Sequence, residues 1–205
     1  MRCVSDMHTG LQLTWLAALL IGVTGAVSLH ADGRSPSPHG ATTRASESVL
    51  PRNVVVAMSV VNRFFPEVTQ EASTGENLTA VGKPKATRSV IYANSDSSKK
   101  VTITVDQYVS LSEASSAYQE AVQKSKIVPG FKPVSAPNLG HNAFIGSATQ
   151  GAETHIGLAA LSGTLIIGAT LAGYEPTPDN TAKLISLTRE EEGAAKATLA
   201  ASGDQ

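Results

Sequence analysis

Residues 156–172 run Ile-Gly-Leu-Ala-Ala-Leu-Ser-Gly-Thr-Leu-Ile-Ile-Gly-Ala-Thr-Leu-Ala without a single charge, and this run constrains the fold more than any other segment. An uncharged stretch of this length is either a membrane helix or two buried strands. Gly157, Ser162, Gly163 and Gly168 interrupt it with poor helix formers, and its β-branched residues favour an extended chain, so the reading is a hairpin. A two-residue turn centred on Ser162-Gly163 pairs Leu161 with Thr164 and Ala160 with Leu165, and carries the register back to His155 opposite Thr170. One face is then wholly apolar. The other carries Leu161, Thr164, Ala159, Ile166, His155, Thr170 and a Gly157–Gly168 pair, where a ring or another backbone can approach closely. Gly157, Ile166, Gly168 and His155 are therefore the candidate ligand-binding residues.

The flanking segments supply the rest of an antiparallel sheet. Residues 100–106 alternate strictly, placing Val101, Ile103 and Val105 on a core and Thr102, Thr104 and Asp106 on the opposite face. Residues 89–93 form a second strand ahead of a turn at 94–98, residues 131–134 a short one, and residues 143–149 and 154–161 an antiparallel pair turning at 150–152. Ser110 and Glu113 have capping-box spacing and open a helix whose inner stripe is Ala114, Tyr118, Ala121, Val122 and Ser125. Thr177-Pro178 is an N-cap with proline at the first helical position, and Asp179 adds favourable charge in the first turn. This closing helix reaches about Leu199; its second half, charged and Ala-rich, is expected to project or fray. Residues 54–65 fit a helical face stopped by Pro66, although the β-branched run leaves a strand open as well. The expected class is α+β: an antiparallel sheet with helices packed on it, the first of them covering the less apolar hairpin face.

Ahead of this domain lies a signal-peptide pattern. The densest part of an apolar run, residues 15–23, has the length of an h-region and is short for a membrane span. Ala26-Val27-Ser28 offers a cleavage site and Ala31 a second. The expected organisation is a signal peptide at 1–31, a flexible Ser/Pro/Gly linker at 32–50, one domain at 51–200 and a disordered tail at 201–205. The protein would be secreted or periplasmic; an uncleaved signal anchor, tethering it to a membrane, is the alternative. Cys3 is the sole cysteine, so the mature chain would hold neither a disulfide nor a thiolate metal site, and a lipid anchor has no cysteine to use.

Charge and motifs narrow the function classes. A net charge of −1 gives no footprint for nucleic acid, and Lys83, Lys85 and Arg88 read as a solvated loop face. His141 and His155 have no neighbouring ligands that would complete a metal site. Gly140, Gly146 and Gly151 lack phosphate-loop spacing, so no cofactor is indicated. Ser97 and Lys100 match a nucleophile pair only by spacing, and Asp106 and Glu113 already have strand and capping roles.

Segment 101–125, the Pro137-Asn138-Leu139-Gly140 turn with Ala143-Phe144, the apolar hairpin and the closing helix together resemble small secreted bacterial domains of the PsbP-like α/β sandwich, found also in actinobacterial lipoproteins and the extracellular sensor domains of some receptor kinases. The resemblance spans residues 54–187 and rests on element order and a weak turn motif. It departs from those proteins in lacking a lipobox cysteine, a disulfide and a kinase. It carries over no catalytic residue and implies a binding or accessory role. Two functions remain: a non-catalytic binding domain of the cell envelope, whose partner is a small ligand or an envelope protein, and a cell-envelope hydrolase or other enzyme with a site assembled from distant loops.

Overall fold

A computed structural model describes residues 48–75, 80, 82–134 and 142–202. The expected signal peptide, the linker up to residue 47, the 137–140 turn and His141 lie outside the described residues.

The described residues lay down eight strands: β1 (Ser48–Val49), β2 (Gln70–Gly75), β3 (Ala86–Ala93), β4 (Lys100–Gln107), β5 (Lys132–Pro133), β6 (Ala143–Gln150), β7 (Glu153–Ser162) and β8 (Leu165–Ala172). They form one sheet in the order β1-β3-β4-β8-β7-β6-β5, with β2 also on the outer edge of β3. Every pairing is antiparallel except the short β1–β3 contact. Among the described residues three α-helices accompany the sheet: α1 (Met58–Phe64), α2 (Leu111–Lys126) and α3 (Pro178–Ser202). The fold is α+β, as the alternation and capping signals require.

The sheet is covered on both faces. The apolar face of β3, β4, β7 and β8 buries Val90, Ile103, Leu158, Ala169 and Leu171 against Leu184 and Leu187 of α3 and Val61 of α1. On the second face α2 lays Ala114, Ala117 and Tyr118 on Ala159 and Ile166. Its start is set by Ser110, whose hydroxyl accepts the Glu113 N–H at 3.2 Å. Thr177 caps α3 in the same way, accepting the Asn180 N–H at 3.2 Å. The helix over the second face is therefore α2, and the first helix lies on the opposite side.

The first helix is also shorter than its apolar spacing suggests. Arg52–Val54 forms a single 3-10 turn, Val55 is extended, and α1 begins only at Met58. Three consecutive valines lose rotamer freedom in a helix; here the chain is extended at Val55 and Ala57, with Val55 and Val56 buried in the core. At the other end of the chain, α3 does not fray. Glu191 and Ala195 are fully buried and Leu199 is 6% exposed, while Thr198 donates to the Asn53 carbonyl at 3.1 Å. Ala201 and Ser202 complete this helix rather than starting the tail.

The hairpin turns one residue later than the sequence suggests. Ser162 pairs with Leu165, so the turn residues are Gly163 and Thr164, and Gly163 adopts φ +62°. A glycine at the first of two turn positions is the type II′ requirement. The register moves by two residues, so each residue keeps its face but not its partner. Gly157 lies opposite Thr170, and Gly168 opposite Ala159. A further glycine on this face is fixed by packing: a Cβ on Gly146 would stand 2.1 Å from the Phe131 ring, which stacks on Phe144 at 5.6 Å. Gly146→Ala is expected to push that ring aside and cost about 2 kcal/mol in urea unfolding.

Candidate functional site

The four residues singled out by the hairpin reading share the second face but do not form an open site. His155, Gly157, Gly168 and Ile166 descend diagonally through successive rows of β7 and β8, and all four are buried. Ile166 lies under α2, and the space over Gly168 is filled by Thr104, whose Oγ1 is 2.3 Å from where a Cβ would stand. His155 is 2% exposed rather than on the strand surface. Its Nε2 is 3.4 Å from a Glu153 carboxylate oxygen and its Nδ1 has no partner among the described residues. Burial outweighs Glu153 and lowers its pKa, favouring the neutral ring.

On the second face a cleft lies elsewhere, beside α2. A cleft of about 490 Å³ opens between one flank of α2 and the segment preceding β3, lined by Lys83, Tyr108, Val109, Ser112, Ser116 and Glu120 among others. Backbone pairing builds it: the Lys85 N–H donates to the Gln107 carbonyl at 2.6 Å and the Tyr108 N–H to the Thr164 carbonyl at 2.9 Å, holding the chain on either side of β4 at the helix entrance. Gly82, at φ +73°, brings the backbone close enough that a Cβ there would contact Ala117 at 3.7 Å. Tyr108 forms the floor, 3% exposed, while Val109 on the rim is 71% exposed. Burial, with the charges of Asp106 and Glu120, pushes the Tyr108 hydroxyl well above the usual tyrosine range. At neutral pH it is a fixed hydrogen-bonding group and not a proton acceptor.

Of these residues, Lys83 reads in the sequence as part of a solvated loop and Glu113, which also lines the cleft, as a capping residue. No sequence pattern marks Tyr108, Ser112, Ser116 or Glu120. The available signal was the exposed pair Val109 and Leu111 bracketing the helix cap, 71% and 59% exposed, an apolar rim where a solvated helix entrance would carry polar residues. Arg88 belongs to neither reading: its Nε donates to the Leu50 carbonyl at 2.6 Å and pins the start of the domain.

Among the described residues no three His, Cys, Asp or Glu side chains gather as a metal-binding group, and none of the described helices is long and apolar enough to cross a membrane. No family model matches the chain, and no curated protein matches it. The fold is similar to the crystal structure of the extracellular domain of PknH from Mycobacterium tuberculosis, with a TM-score of 0.50 and 11% identity over 68% of this chain and 93% of that one. At that identity the likeness is one of fold.

Proposed function

We propose that the chain is an exported, non-catalytic binding domain of the cell envelope, and that its ligand enters the cleft beside α2. The observation that carries this reading is the cleft's make-up: a buried tyrosine, serines on the helix wall, Lys83 and Glu120 in the lining, and the exposed apolar Val109. Such a mixture of apolar surface and a few fixed polar groups suits recognition. Burial keeps the Tyr108 hydroxyl protonated, a neutral group on the cleft floor. The extracellular setting of the structurally similar domain supports export.

The test is amide chemical-shift mapping of the secreted protein with soluble glycans, short peptides and short-chain phospholipids. Shifts are expected to centre on Lys83, Tyr108, Ser112 and Ser116. Ser116→Trp, at an exposed helix position, is expected to weaken binding roughly tenfold or more while leaving the fold intact. Shifts centred on another surface and unaltered by that substitution would refute the assignment, and turnover of a probe would favour the enzyme.

A further inference from the structure

We propose that Glu191 and the strap formed by residues 50–57 are a proton-operated latch. With Glu191 protonated the strap is held on α3; its ionisation loosens the strap.

The strap has no strand ladder to hold it beyond β1. The Leu50 N–H donates to the Thr87 carbonyl at 2.9 Å. Next the Arg52 guanidinium reaches the Val55 carbonyl at 2.8 Å and the Tyr92 hydroxyl at 2.7 Å. At the far end the Val56 N–H donates to Glu191 Oε2 at 2.9 Å, and the Tyr92 hydroxyl donates to the Val56 carbonyl. Glu191 is fully buried, and its Oε1 has no partner among the described residues.

The charged groups around Glu191 are committed to other partners. Arg52, from the 3-10 turn, is bound at 2.6 Å to Glu71 of β2. Tyr92, from β3, spends its one hydroxyl hydrogen on Val56. On α3 itself Glu190 pairs with Arg63 of α1 at 3.1 Å and Glu192 with Lys196 at 2.7 Å. The carboxyl therefore has one backbone N–H and a distant cation, too little to compensate a buried negative charge. Burial accordingly pushes its pKa up to about 7.

The sign follows from linkage. Between the ordinary carboxyl value and about 7, the closed form holds a proton that the opened form has released, so closure weakens as pH rises through that window and levels off above it.

The experiment is hydrogen exchange on the secreted protein, corrected for intrinsic exchange, reading the Val55 and Val56 amides against the Ile103 amide in β4. Strap opening is expected to increase on the order of 50-fold between about pH 5 and about pH 8, and to lose that dependence in Glu191→Gln. Equal pH dependence in both proteins would overturn the latch. If Glu191→Gln does not fold, the Glu191 carboxyl carbon titration in the wild-type protein decides: a midpoint near 7 supports the latch, and an ordinary carboxyl midpoint refutes it.

Discussion

Gly173→Ala is expected to lower the unfolding free energy by about 3 kcal/mol. Gly173 follows β8 at φ +77°, in the left-handed region, and a Cβ there would stand 1.9 Å from the Ser98 carbonyl oxygen and 3.5 Å from the Lys99 Cα. The obstruction is backbone and cannot rotate away. It is also fixed from behind, because the β3–β4 turn is tied by the Lys99 N–H to Asn94 Oδ1 at 2.9 Å and the Ser98 N–H to Asp96 Oδ1 at 3.0 Å. Gly193 provides the contrast: it lies in the middle of α3 with nothing within 4 Å of an added Cβ. Gly193→Ala is expected to stabilise by up to about 1 kcal/mol through helix propensity alone. Urea unfolding of both variants checks the pair, and two losses of similar size would show that the Gly173 contact is not what sets its cost.

Leu187→Ala is expected to cost about 3 kcal/mol, the scale of a buried leucine truncated with only partial collapse of the cavity. Leu187 is fully buried in the cluster that joins α3 to the apolar sheet face. The same truncation at Ile127, 79% exposed at the end of α2, is expected to change stability by less than about 0.5 kcal/mol. Comparable losses at the two positions would mean that α3 does not anchor the core.

Much of this fold was legible where one physical signal dominated. Strict alternation placed Val101, Ile103 and Val105 on the core face, and the hydroxyls of Ser110 and Thr177 marked two helix starts because each satisfies an otherwise orphan N–H. Where two solutions satisfied the same pattern, the sequence left the choice open. Turns centred on Ser162-Gly163 or on Gly163-Thr164 bury identical faces, and the Ser162–Leu165 pairing separates them. The edge strand β2, Gln-Glu-Ala-Ser-Thr-Gly, has no apolar alternation because it is exposed throughout its first five residues; its pairing is set by the free edge of β3.

The cleft was hidden for a different reason. Lys83 and Glu120 line one cleft only because the antiparallel pairing of β3 with β4 returns the chain to the side of α2, and no local spacing encodes that. Glu191 was legible in principle. It stands four residues after Leu187 and four before Ala195, on the inner stripe of α3, yet the surrounding glutamates disguise it as part of a solvated face.

The proposed function depends on export from the cytoplasm. The direct measurement is the intact mass and location of the protein after expression of the full chain in a secreting host. A species lacking about 26 to 31 residues, recovered outside the cytoplasm, is the predicted result, placing cleavage between Ala26 and Ala31. A full-length protein found in the cytoplasm would contradict it.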